Sequence, residues 1–74
     1  MRLIKNTATN AAELYKQLAG SNTVYYKRLG LVNINKFDLL LNPAADYATV
    51  YTHDGSDYDV YIDEIKEIVE FDLN

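Results

Sequence analysis

Three aspartates beside one glycine are the residues whose spacing comes nearest to a metal site: Asp54, Asp57 and Asp59. Clustered carboxylate oxygens are the ligands that calcium prefers. An EF-hand loop, however, has acids at alternating positions before its glycine and a bidentate glutamate at its end, whereas Gly55 directly follows the first aspartate. The spacing therefore indicates a turn followed by an acidic, solvated strand, and we expect no bound metal.

The single histidine, His53, precedes Asp54 and belongs to the residue type that acts as a general base near neutral pH. Nucleophilic catalysis would also need an activated hydroxyl in a strained turn, but Ser21 and Ser56 lie in ordinary polar turn contexts. None of the three glycines belongs to a phosphate-binding loop. A core built from 74 residues leaves little volume for a substrate cleft. We expect a protein that is not an enzyme and holds no cofactor.

Two basic residues next to two tyrosines form the best candidate for a nucleic-acid site: Tyr25, Tyr26, Lys27 and Arg28. Aromatic rings stack on bases, and cations neutralise phosphates. The sequence pI of about 4.6 is far below the value above ~9 that is typical of basic nucleic-acid-binding domains. Nucleic-acid binding by a small barrel is therefore an alternative rather than the first expectation.

Charge is divided unevenly along the chain. Residues 1–36 carry six basic side chains and one acid, whereas residues 37–74 carry ten acids and one lysine. The two halves could attract each other within the fold, or the acidic half could face a charged partner. Spaced carboxylates could imitate a phosphate backbone, as in small acidic inhibitors of nucleic-acid enzymes that mobile elements encode. The plainer alternative is a solubilising surface.

One helix is predicted near the N-terminus. Asn10 and Glu13 form a capping box, in which Asn10 caps the helix and Glu13 reaches back to a free amide. An apolar stripe at helical spacing follows, and Gly20 is expected to provide a left-handed C-terminal cap. The stripe consists of Ala11, Leu14, Tyr15 and Leu18.

Extended segments follow the helix. Thr23–Leu29 and Leu31–Ile34 are rich in β-forming residues and are separated by Gly30, which predicts two strands or one bent strand. The apolar alternation then changes phase, so we expect a turn or bulge at Asn35-Lys36 before it continues from Phe37 to Leu41. Asn42-Pro43 closes this segment.

A hairpin is predicted around Asp54-Gly55, with strands at Tyr47–His53 and Tyr58–Ile62. Alternation along the second strand places Tyr58, Val60 and Ile62 on one face. The other face then carries Asp57, Asp59, Tyr61 and Asp63 and should be acidic and wet. By the same alternation of side chains along their strands, Tyr51 and Tyr61 are both expected to be exposed.

The C-terminal segment has both helical and alternating apolar spacing. We predict one helical turn at Asp63–Ile65 and a strand at Glu67–Leu73, with a full C-terminal helix as the alternative. The order of strand, Asp-Gly turn, strand, helical turn and strand resembles the second half of SH3-like or Sm-like small barrels. This resemblance covers Tyr47 to Leu73 and implies a closed barrel.

Length and composition bound the fold. A chain of 74 residues with 49% hydrophobic and 24% charged residues is expected to form one α+β domain spanning residues 1–74. We expect the N-terminal helix to pack on a small antiparallel sheet, or on an SH3/Sm-like barrel, of four to five strands. The lack of cysteine and of a long apolar segment predicts a cytoplasmic protein without a membrane anchor. The small core favours oligomerisation, for example as a homodimer.

The functional expectation is a small binding or regulatory protein whose partner is a protein with a basic surface. Tyrosine is enriched at protein interfaces, and an acidic face attracts a basic one. The predicted interface consists of Asp57, Asp59, Tyr61, Asp63, Glu64 and Tyr51. Besides nucleic-acid binding, a second alternative is that the protein is a purely structural subunit of a larger assembly.

Overall fold

A computed structural model describes residues 2–18, 23–26 and 30–70 of the chain. These residues form one α-helix, two short 3-10 helices and six strands. The strands are β1 (Arg2–Lys5), β2 (Thr23–Tyr26), β3 (Gly30–Asn33), β4 (Tyr47–Tyr51), β5 (Asp57–Tyr61) and β6 (Glu67–Glu70). The helix α1 is Ala11–Gln17, and the 3-10 helices are Lys36–Leu40 and Ile62–Glu64. None of the described helices is long and apolar enough to cross a membrane.

The six strands form one antiparallel sheet in the order β1-β6-β2-β3-β4-β5. This confirms the α+β prediction of a helix on an antiparallel sheet. The barrel alternative is wrong, because the sheet is open: among the described strands, β1 pairs with β6 alone and β5 with β4 alone. The predicted count of four to five strands was too low, because β1 extends the sheet beyond β6.

The pairing between β3 and β4 is short. These two strands share a single register pair, Asn33 with Tyr51, and the 3-10 helix Lys36–Leu40 lies in the connection between them. The extended segment predicted for Phe37–Leu41 is therefore wrong. The Asn35 side chain accepts a hydrogen bond from the Phe37 amide (3.0 Å), and the Asp38 amide donates to the Asn35 carbonyl (2.9 Å). Both bonds stabilise a helical turn against an extended strand.

The N-terminal end of α1 has the predicted cap. The Glu13 amide donates to the Asn10 side chain (2.9 Å), and the Glu13 carboxylate accepts from the Thr9 amide (2.9 Å). The amides of Ala11 and Ala12 donate to backbone carbonyls of the loop before β4, at Ala45 and Pro43 (2.8 and 3.0 Å). This loop is thereby fixed against the helix. The predicted cap at Gly20 lies outside the described residues.

The core lies between α1 and the inner face of the sheet. Leu14 of the helix and its C-cap residue Leu18 pack with apolar side chains of five strands and both 3-10 helices. The largest fully buried side chains are Leu14, Leu18, Ile34, Ile62, Ile65, Ile68, Val24, Val32 and Val50.

The connections around β5 follow the sequence prediction. The Asp-Gly turn joins β4 to β5, and the helical turn Ile62–Glu64 joins β5 to β6, which is a strand as far as Glu70. The C-terminal helix considered as an alternative is therefore wrong over Glu67–Glu70. The last residues of the predicted strand, 71–73, lie outside the described part of the chain.

Gly55 has a φ of +88°, in the region that L side chains rarely adopt. A Cβ built on it would meet no atom within 4 Å, so the cost of a side chain there is backbone strain alone. We expect Gly55→Ala to lower the free energy of unfolding by about 1 kcal/mol. Gly55→Asn should cost less, because asparagine tolerates left-handed backbone. Urea denaturation of both variants checks this, and equal losses for Ala and Asn would contradict it.

Candidate protein-binding face

The outer face of the β4–β5 hairpin brings tyrosines and acids together. On the opposite side of the hairpin, Ala48, Val50 and Val60 are buried in the core. Because side chains alternate along a strand, the odd-numbered residues share the outer face. They form three cross-strand pairs, Tyr47 with Tyr61, Thr49 with Asp59, and Tyr51 with Asp57. We call these six residues the hairpin face.

Two hydrogen bonds hold side chains of the hairpin face in place. The Thr49 hydroxyl donates to Asp59 Oδ1 (2.9 Å), which orients that carboxylate. The Tyr51 hydroxyl donates to Asp38 Oδ2 (2.8 Å), which joins β4 to the first 3-10 helix. The bond to Asp38 raises the pKa of Tyr51 above its ordinary value, with smaller contributions from burial and from the charges of Asp38, Asp57 and Asp59. The Tyr51 hydroxyl is thus engaged within the fold.

The Tyr51 bond should be visible as a pH dependence. A pKa raised by folding means that the stabilisation is fully present below the ordinary value of 10.0 and is lost as pH rises through the folded-state value. We expect Asp38→Asn to lower the pKa of Tyr51, because it removes the negative charge that disfavours tyrosinate. NMR titration of the Tyr51 ring carbons measures this. The control Asp63→Asn removes one charge elsewhere, and identical Tyr51 titrations in both variants would contradict the contact.

Tyr47 lines two clefts. One cleft, of about 260 Å³, lies between β4 and the first 3-10 helix and includes Asp38, Leu41 and Thr49 among its lining residues. The other, of about 340 Å³, is lined by Asp46, Tyr47, Asp59, Val60 and Tyr61. Tyr47 is therefore shared by both clefts, and the second cleft includes Tyr47, Asp59 and Tyr61 of the hairpin face.

Exposed apolar side chains lie on the first 3-10 helix and directly after it, and one of them, Leu41, lines the first cleft. Leu41 is 83% exposed, and Phe37 and Leu40 are also exposed. Lys36 Nζ lies 5.4 Å from the ring centroid of Tyr15 and 5.9 Å from that of Phe37, within the range of cation–π attraction. Apolar side chains beside a polar, aromatic surface are typical of protein interfaces.

The predicted interface residues divide into two groups. Tyr51, Asp57, Asp59 and Tyr61 lie together on the hairpin face. Asp63 and Glu64 lie instead on the 3-10 helix after β5, where Asp63 is exposed and its carbonyl accepts a hydrogen bond from Lys66 Nζ (3.2 Å). Compared with the predicted interface, the hairpin face includes more residues of β4 and does not include Asp63 and Glu64.

Several residues of this site are not among the predicted interface residues. Tyr47 and Thr49 could have been found, because they share the odd-numbered alternation that placed Tyr51 outside. Asp38 and Asp46 have no such signal in the sequence. Asp38 lies in the first 3-10 helix and Asp46 in the loop before β4, so strand alternation does not apply to either.

The turn between β4 and β5 uses Asp54 as a structural residue. The Thr52 hydroxyl and the Ser56 amide both donate to Asp54 Oδ1, and these bonds hold the pKa of Asp54 below its usual value. Neighbouring His53 is exposed. Across the described ranges, no group of three or more His, Cys, Asp or Glu residues is placed to hold a metal ion.

The residues of the nucleic-acid alternative are only partly described. Tyr25 and Tyr26 belong to β2, where their backbone pairs with Leu31 and Gly30 of β3, and Tyr25 also pairs with Glu67 of β6. Lys27 and Arg28 lie outside the described residues. β2 lies inside the sheet, whereas the hairpin face lies at one edge of it. Comparisons of the chain with protein-family models, with curated proteins and with solved structures find no match.

Proposed function

We propose that this chain is a small, non-catalytic binding protein that uses the hairpin face to bind a basic surface of another protein. The observation that carries the proposal is the grouping of the exposed Tyr47 and Tyr61 and the half-buried Tyr51 with Asp57 and Asp59 on one side of two strands. Tyrosine offers a large, rigid contact area with a polar end, which is why it is enriched at interfaces.

Electrostatics support a basic partner. Asp57 and Asp59 lie two residues apart on the same face, about 7 Å from each other along the strand. Asp38, Asp46 and Asp54 border the hairpin, and the whole chain carries a net charge of −4. A concentrated negative field accelerates association with a positive surface and disfavours polyanions.

A basic groove that otherwise holds nucleic acid is the form of partner that suits this charge pattern best. Such a groove recognises regularly spaced negative charge, which the carboxylates of β5 and its flanking turn present. The chain would then act as an inhibitor that competes with nucleic acid. Small acidic inhibitors encoded by mobile elements would work in this way. Tyr47, Tyr51 and Tyr61 would supply contact area that phosphate lacks.

Binding to defined probes tests the proposal. A twelve-residue peptide that repeats Arg-Ala-Ala represents a basic surface, and a DNA duplex and a single-stranded oligonucleotide represent the alternative ligand. We expect the peptide to bind the fluorescently labelled chain with an affinity that falls as salt rises, and neither nucleic acid to bind. Binding of either oligonucleotide without binding of the peptide would reject the proposal. It would favour nucleic-acid binding by residues 25–28.

A further inference from the structure

The cleft that includes both Tyr47 and Tyr61 is lined by aromatic and acidic residues. It has a volume of about 340 Å³ and combines two aromatic rings, of Tyr47 and Tyr61, with two carboxylates, of Asp46 and Asp59. The two tyrosines are 45% and 58% exposed, so their rings are accessible from solvent. Directly paired residues on one face have their Cβ atoms about 5 Å apart, which places these rings on the same part of the surface.

One of the two carboxylates is held by a hydrogen bond, and the other belongs to a residue whose backbone is held in place. Asp59 is held by the 2.9 Å bond from Thr49 in the middle of the hairpin. The backbone carbonyl of Asp46 accepts from the Ile62 amide (2.8 Å), which ties the entrance of β4 to the end of β5. The Asp59 carboxylate is therefore a preorganised acceptor, which loses little entropy when a ligand binds. Neither carboxylate forms an ion pair with another residue in the described ranges.

We propose that this cleft binds the guanidinium group of an arginine from the protein partner. This inference rests on the proposed function and specifies which side chain of the partner would bind in the cleft. Guanidinium is flat and weakly hydrated, so it can stack on a tyrosine ring while its N–H groups donate to a carboxylate in a fork. An ammonium group is compact and strongly hydrated, and it gains less from flat rings in an open cleft.

Small arginine derivatives test the cleft without the rest of a partner. N-acetyl-arginine amide is titrated into the ¹⁵N-labelled full chain, with N-acetyl-lysine amide as the ammonium probe and N-acetyl-citrulline amide as the uncharged isostere. We expect saturable shifts at residues 46, 47 and 59–61 with the arginine derivative, affinity lower by about threefold or more with lysine, and no saturable shift with citrulline. Equal responses to all three probes, or shifts elsewhere, would overturn the inference.

Matched variants separate stacking from charge. Asp59→Asn keeps the shape of the side chain and its ability to accept from Thr49, and Tyr61→Ser removes one ring. Each should weaken binding of the arginine derivative by about three- to tenfold. Tyr58→Ser is the control, because Tyr58 lies on the same strand with 46% exposure but on the opposite face, and it should change the affinity less than about twofold. Full binding by Asp59→Asn and Tyr61→Ser would overturn the inference.

The basic peptide distinguishes failure of this inference from failure of the proposed function. If the peptide binds the hairpin face but the arginine derivative leaves residues 46, 47 and 59–61 unshifted, the arginine anchor is rejected and the proposed function stands. If neither peptide nor arginine derivative binds, both are rejected.

Discussion

Replacing Asn6 with aspartate should destabilise the domain more than any other single isosteric change proposed for it. Asn6 Nδ2 donates to the carbonyls of Ile62 (2.9 Å) and Ile65 (2.8 Å), and its Oδ1 accepts from the Ala8 amide (3.0 Å). The Asn6 amide also donates to the Lys66 carbonyl (3.0 Å). One side chain therefore connects the end of β1 to the 3-10 helix that joins β5 to β6.

The substitution Asn6→Asp removes both donated bonds and places a carboxylate against two carbonyl oxygens. Each lost bond costs about 1 kcal/mol, and the unsatisfied, facing oxygens add to this, so we expect a loss of about 3 kcal/mol or more at neutral pH. A domain of this size has a total stability on the order of a few kcal/mol, so the variant should be largely unfolded.

The pH dependence of Asn6→Asp has a definite sign. The surrounding carbonyls favour the protonated carboxyl, which raises the folded-state pKa of the introduced group above its unfolded value. Stability should therefore recover as pH falls below that folded-state value and decline as pH rises through it. Urea denaturation followed by circular dichroism at several pH values measures this. Asn42→Asp adds the same charge at an exposed position, and equal stability of the two variants at neutral pH would contradict the account.

The second large effect concerns binding. The double variant Asp57→Asn, Asp59→Asn should weaken binding of the Arg-Ala-Ala peptide by about tenfold or more at low salt, because both charges of the hairpin face are removed at about 1 kcal/mol each. Both substitutions keep the side-chain shape, so the fold should be retained. Fluorescence anisotropy at low and at physiological salt gives the affinities.

A second double variant controls for net charge. Asp63→Asn, Glu67→Gln also removes two of the eleven acids and changes the formal charge from −4 to −2, but neither residue lies on the hairpin face. At physiological salt we expect this control to lose less than about threefold in affinity, because charges outside the contact area are then screened over about 8 Å. Equal losses in the two double variants would indicate a response to net charge rather than a local site.

The parts of the fold that sequence analysis predicted have local signals. The cap of α1 depends on Asn10 and Glu13, three residues apart, and the β4–β5 hairpin depends on Asp54-Gly55 between alternating strands. Strand alternation also assigned Asp57, Asp59 and Tyr61 to the exposed face, and their burial pattern confirms this.

The parts that it missed depend on contacts between distant residues. β1 is four residues long, and its pairing of Leu3 with Val69 spans nearly the whole chain. The bonds of Asn6 to Ile62 and Ile65 are non-local in the same way. Alternation from Phe37 to Leu41 suggested an extended segment, but the cap by Asn35 stabilises a 3-10 helix there. That helix then places Asp38 against Tyr51, a contact that no periodicity indicates.

Mapping the peptide contact by NMR tests the central claim most directly. The Arg-Ala-Ala peptide is titrated into the ¹⁵N-labelled chain, and the amide shifts are plotted along the sequence. Our account predicts saturable shifts concentrated in β4 and β5, at Tyr47–Tyr51 and Asp57–Tyr61, with little change in β1 and α1. Shifts centred on β2 and the residues 25–28, or no shift at saturating peptide, would contradict it.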